Sequence, residues 1–140
     1  MDKLTREAQE HGEIFESLIF FEKLIPVLSD KNIEKFKSFL DEHAEDHFEF
    51  EEKEIFPIIL DKGTNEEKNL IEELQSQHKE ILDMINQLDK LVSTHGASSS
   101  GNNKEKIMKL NTKIIESLLA HARKEDTEIF PIFKKYGNNI

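Results

Sequence analysis

Apolar residues recur in steps of three and four along almost the whole chain, the spacing that gathers them on one face of an α-helix. Leu4, Ala8, His11, Phe15, Leu18, Glu22 and Ile25 mark a first helix over roughly residues 3–28. Ile33, Phe36, Leu40, Ala44, His47, Glu51 and Ile55 mark a second, which starts after Ser29-Asp30 and persists, kinked at Pro57, toward Lys62-Gly63. Thr64-Asn65 offers an N-cap with acidic residues in the following turn, and Leu70, Leu74, His78, Ile81, Ile85, Leu88 and Val92 mark the third helix. The stretch from His95 to Asn103 is rich in small residues, lacks the helical pattern and reads as a connector. Ile107, Leu110, Ile114, Leu118, His121, Glu125 and Ile129 mark the fourth helix, which frays into Gly137-Asn138-Asn139-Ile140. Long helices on short links predict an all-α fold, an antiparallel up-down-up-down four-helix bundle.

The polar residues that interrupt these stripes are not scattered. His47-Phe-Glu-Phe-Glu51-Glu52-Lys-Glu-Ile-Phe-Pro57 returns 121 − 47 = 74 residues later as His121-Ala-Arg-Lys-Glu125-Asp126-Thr-Glu-Ile-Phe-Pro131. Each copy sets a histidine and a glutamate four apart, so both leave one helix face about one turn apart. A further histidine precedes each copy, and His11, Glu13, Ile14, Lys23 and Leu24 recur as His78, Glu80, Ile81, Lys90 and Leu91 at an offset of 78 − 11 = 67. The two offsets differ by 74 − 67 = 7, which fits an insertion in the small-residue connector. Two matching helix pairs packed about an internal pseudo-twofold axis would bring the four histidines and both glutamates into the bundle interior.

Composition narrows the chemistry. The 140 residues, 36% hydrophobic with ten Phe, suffice for one core, so residues 1–140 are expected to form a single domain. A formal charge of −10 opposes phosphate backbones and anionic membranes, so no nucleic acid and no membrane is expected as a partner. With no Cys there are no disulfides, thiolate metal sites or cysteine nucleophiles, which fits a cytoplasmic location. No secretory leader or long apolar run is present, and a soluble intracellular protein is expected.

Buried imidazoles and carboxylates are costly unless paired, whereas a cation turns the same groups into ligands. Mixed imidazole and carboxylate donors suit Fe, Mn, Zn or Co, and too few oxygens are offered for Ca²⁺. His11, His47, Glu51, His78, His121 and Glu125 exceed the needs of one tetrahedral ion. Two ions, each with two histidines and sharing both carboxylates and a solvent-derived bridge, would use every group and leave positions open.

These motifs resemble those of the hemerythrin-like proteins, or HHE cation-binding domains, over nearly the whole chain. The resemblance implies a four-helix bundle around two non-haem Fe ions with an oxo or hydroxo bridge, Mn or Zn being substitutes. His11, His47, His78 and His121 would be the iron ligands and Glu51 and Glu125 the bridges. The pattern of two histidines per iron is most similar to the di-iron domain of the iron–sulfur cluster repair proteins, whose additional cysteine-containing segment has no counterpart in these 140 residues. Oxygen-carrying hemerythrins have a fifth histidine one turn after the first on the third helix; here that position is Leu82, mirrored by Phe15. The usual asymmetry between the irons is therefore expected to be absent. Their second carboxylate lies five after its histidine, which would select Asp126, but the repeat pairs Asp126 with Glu52 and favours Glu125 with Glu51.

Several residues have blander readings. His43 lies one turn before His47 and could ligate or support the site, although its repeat mate is Ser117. His95 reads as a solvated connector residue. Glu49, Glu52, Lys53, Glu54 and Lys124 read as a solvated face, with Glu52 and Asp126 as exceptions if they approach the metals. Pro57 and Pro131 bend or end helices. A single histidine on an apolar face is more often a hydrogen-bonded core residue than a ligand, but four at matching positions are not required by packing.

Other chemistries fail on detail. His43-Ala-Glu-Asp-His47 lacks the Glu directly after the first His that a zinc-protease helix needs. No histidine has Glu three before it, as ferritin-like di-iron bundles require. Nucleotide-binding and serine-hydrolase signatures are absent. The sequence thus predicts a di-iron-binding protein that binds or reacts with O2, NO or peroxide, or handles iron, under oxidative or nitrosative stress, with enzymatic activity open. A reversible O2 carrier or sensor and a metal-free helical interaction module are the alternatives.

Overall fold

The computed structural model describes residues 3–24, 29–95 and 102–137, and every element among them is helical. Four helices result: α1 (Lys3–Leu24), α2 (residues 30–62), α3 (Asn65–His95) and α4 (residues 102–137). Three of the predicted helices keep their stripes, since every marker on α2 is buried and those on α3 and α4 are buried or half-buried. The stripe on α1 is corrected. Ala8 and Glu22 are exposed, whereas Glu7, His11, Ile14, Leu18 and Phe21 form the buried face. The expected end of α1 beyond Leu24 lies outside the described residues. Most of the expected connector does too, although His95 and Asn102 are helical.

Pro57 and Pro131 do not end their helices, because each lies just beyond a π-turn. An α-helix turns by about 100° per residue, so a step of four overshoots by about 40° and two such steps in succession walk the stripe off the core. Phe36-Leu40-Ala44, His47-Glu51-Ile55 and His121-Glu125-Ile129 are such double steps, and there the helix widens into a single π-turn, over Leu40–Ala44, Glu51–Ile55 and Glu125–Ile129. The spacing permits a π-turn without fixing one, since Leu70-Leu74-His78 and Leu110-Ile114-Leu118 step the same way and stay α-helical. The wider turn takes up the extra residue and returns the apolar side chain to the core. It also accommodates each proline, which lacks an N–H and cannot bond back one α-turn. In both copies of the motif the π-turn begins on the glutamate.

The termini are fixed locally. Ser29 Oγ accepts from the Asn32 N–H at 3.2 Å to open α2. Between α2 and α3, Thr64 and Glu67 form a reciprocal capping box, with Thr64 N–H donating to Glu67 Oε1 at 2.9 Å and Glu67 N–H to Thr64 Oγ1 at 3.2 Å. Gly63 precedes them because a Cβ there would lie 2.5 Å from the Ile59 carbonyl oxygen. Tyr136 donates to Glu67 Oε1 at 2.6 Å and fastens the end of α4 to the start of α3.

The core is divided. One apolar cluster, including Leu18, Phe36, Leu40, Ile85, Leu88 and Ile114, fills one part of the bundle. A smaller one, including Ile55, Phe56, Ile59, Ile71, Leu74 and Phe133, fills another. The histidines and glutamates of the repeat belong to neither and are themselves buried. Among the described residues no helix is long and apolar enough to cross a membrane.

Candidate metal centre

The six repeat residues, drawn from all four helices, converge. His11, His47, His78, His121, Glu51 and Glu125 are each 3% exposed or less, and their side chains approach through the Nε2 atoms and carboxylate oxygens. Glu51 spans the cluster: Oε2 lies 3.4 Å from His11 Nε2 and 3.2 Å from His47 Nε2, while Oε1 lies 3.1 Å from His78 Nε2. Glu125 Oε1 likewise stands 3.3 Å from His11 Nε2 and 3.4 Å from His121 Nε2. Donor atoms fall into two sets with mutual distances within 4.8 Å, one containing His11 and His47 and the other His78 and His121, with Glu51 and Glu125 in both.

Each imidazole is held from behind. His47 Nδ1 lies 2.8 Å from Glu10 Oε1 and His121 Nδ1 lies 2.8 Å from Gln77 Oε1, and Glu10 and Gln77 immediately precede His11 and His78. His78 Nδ1 lies 2.9 Å from Glu52 Oε1 and His11 Nδ1 lies 2.6 Å from Asp126 Oδ1, and Glu52 and Asp126 immediately follow Glu51 and Glu125. Burial raises the Glu10 carboxyl, but Arg6 and His47 more than offset it and hold it below its ordinary value; His78 is the main cause of the same shift in Glu52. These partners therefore accept, which puts a proton on Nδ1 and leaves Nε2 as the donor aimed inward. Asp126 thus serves the back of a histidine, and Glu125 faces the interior.

Electrostatics show what the arrangement lacks. Burial and the neighbouring Glu125 charge push the Glu51 carboxyl well up, whereas Glu125, despite its burial, is held down by Glu51 and His11. His11 resists charging through burial, but Glu125, Glu51 and Glu7 overcome this and raise it to about 12; His47 is raised likewise, chiefly by Glu7 against burial. His121 is lowered to about 4, first by burial. Glu7, His47 Nε2, His121 Nε2 and Glu125 Oε2 have buried atoms without a hydrogen-bond partner. An unpaired buried charge costs several kcal/mol, against a net stability on the order of 5–15 kcal/mol for a whole domain. Divalent cations among the Nε2 atoms would remove that penalty, so the donor set fits a metal.

Against the hemerythrin HHE cation binding domain, the chain matches over residues 3–133. It belongs to that family. No curated protein and no solved structure matched the chain. Members of the family bind metal ions, and the buried His/Glu cluster is where this chain could hold one.

One residue left open by the sequence stays outside the site, and one it did not offer lies inside. His43, within the π-turn at Leu40–Ala44, is exposed and its ring lies 5.8 Å from Phe39, so it does not join the cluster. Glu7 was missed. It is 4% exposed, and its Oε1 lies 2.7 Å from His11 Nε2 and 3.1 Å from His47 Nε2. The signal was present: stepping back from Phe21, Leu18, Ile14 and His11 by the helical period lands on Glu7, but the apolar Ala8 next to it drew the stripe one position off. The expected equivalence of the two halves fails with it, because the repeat mate of Glu7 at 7 + 67 = 74 is Leu74. The side chain of His95 is not among those described.

Proposed function

We propose that this chain is a non-haem di-iron protein in which His11 and His47 hold one ion, His78 and His121 hold the other, and Glu51 and Glu125 bridge them. It binds or reacts with O2, NO or peroxide, or handles iron, under oxidative or nitrosative stress in the cytoplasm. The observation that carries the reading is the span of Glu51, whose two oxygens face opposite histidine pairs. One mononuclear ion would have no use for that span. Bound irons would supply electrons and open coordination positions for a small ligand, with Mn or Zn as substitutes of different redox capacity. The chain itself orients four imidazoles through their Nδ1 partners and lines the second pair with the apolar rings of Phe48, stacked 4.0 Å from His78, and Phe56, 5.4 Å away. The same register of Nδ1 partners in each half supports the finer architectural reading, helices alternating up and down about a pseudo-twofold axis.

Metal analysis and the visible spectrum of the purified protein test for iron, and stopped-flow mixing of the reduced form with O2 separates the activities. Rapid irreversible oxidation supports redox work. A long-lived oxygenated band reversed under argon supports the second reading, a reversible O2 carrier or sensor, which the apolar wall at His78 favours. Absence of any bound metal leaves a helical interaction module.

A further inference from the structure

We infer that Glu7 is a ligand to one of the two ions only, so that a small anion or diatomic gas enters at the ion held by His78 and His121. This rests on the two-ion reading above and goes beyond it by making the ions inequivalent. Glu7 projects from α1 one turn before His11 and is buried, with Oε1 near the Nε2 atoms of both His11 and His47. Its oxygens have no hydrogen-bond partner outside the cluster itself. A simple ion pair with His11 does not account for it. That imidazole already meets Asp126 at Nδ1, while Glu51 and Glu125 approach the same Nε2 that Glu7 approaches. Three buried carboxylates thus converge on one imidazole nitrogen, more acceptors than its single N–H can serve, and a cation between them would use the remaining oxygens as ligands.

The other half offers no such carboxylate. Leu74 stands at the matching position, fully buried in the apolar cluster. With Glu7 the first ion has five protein side chains, His11, His47, Glu7, Glu51 and Glu125, and the second has four, His78, His121, Glu51 and Glu125. Two surface grooves also end on the second pair: one beside Phe48, Gln75 and Leu82 reaches His78, and another beside Gln77 and Met84 reaches His121. The first ion is closed by protein and the second keeps open positions.

Loading with Fe²⁺, timed removal by excess ferrozine and azide titration of the oxidised protein test this in wild type, Glu7→Gln and Glu7→Leu. Wild type is expected to hold two irons per chain that leave in two phases, and to bind one azide. Both variants should lose the slow phase, with its rate rising at least about tenfold to merge with the fast one, and should bind a second azide. Glu7→Leu repeats the residue at position 74, and far-ultraviolet circular dichroism with a melting curve checks that it folds. The inference is overturned if both folded variants keep two wild-type phases and one azide. Fewer than two irons in wild type overturns the two-ion reading instead, and the inference falls with it before any variant is compared.

Discussion

The two histidine pairs share two glutamates and one register, yet their surroundings diverge. Around His11 and His47 stand Glu7, Glu10 and Asp126, all carboxylates. Around His78 and His121 stand Glu52, the neutral Gln77 and the rings of Phe48 and Phe56; Leu74 replaces Glu7, and the repeat mate of Phe48 is Ala122. The same contrast appears in proton affinity, with His11 and His47 raised by their carboxylates and His121 lowered by burial. A duplicated motif has thus become one charged, enclosed half and one apolar, accessible half. What the halves still share is the donor set proposed to hold a metal pair, and what they do not share would give the two ions different work.

The largest effect is expected from the shared residues. Glu51→Ala or Glu125→Ala removes a bridge from both halves, and iron content by metal analysis should fall from two per chain to below about one. Equal iron in variant and wild type would remove the bridging assignment. Next comes the apolar half. Phe48→Ala deletes a buried ring stacked on His78 and should cost about 3 kcal/mol, read as a lower Tm, and should speed oxidation of the reduced centre. An unchanged Tm would mean that Phe48 does not seal the site.

Proton release sharpens the contrast further. Without metal, His11 holds a proton at neutral pH because its pKa is raised to about 12, and the upward shifts of His47 and Glu51 act in the same direction, so iron loading near pH 7 should release about one proton per chain or more. A dye-indicator titration counts them, and zero release would contradict the electrostatic account. Affinity should accordingly fall as pH falls. In the metal-free protein, the stabilisation from His11 is fully present below its ordinary value of 6.5 and is lost as pH rises through about 12. Smallest of all, His43→Ala and His95→Ala should leave iron content unchanged.

The amphipathic stripes made three helices legible because α2, α3 and α4 place their markers on the core as spaced. The histidine–glutamate repeat made the centre legible because only a shared ligand asks for that coincidence twice. The enclosed half was not legible, since Glu7 is polar beside an apolar neighbour and has no repeat mate to flag it. The π-turns were not legible, since Leu70-Leu74-His78 and Leu110-Ile114-Leu118 show the same double steps without one and proline alone suggests a bend or an end. The Nδ1 partners Glu10, Gln77, Glu52 and Asp126 were hidden for a different reason: each sits beside a motif residue on its own helix but serves a histidine on another.

Every role proposed for the site requires two ions that share Glu51 and Glu125 inside the bundle. Anaerobic Fe²⁺ titration to saturation, followed by oxidation and low-temperature Mössbauer spectroscopy with iron counting, tests it directly. Two irons per chain that behave magnetically as one coupled pair are expected, whereas a single, uncoupled ferric ion per chain would overturn the bridged assignment.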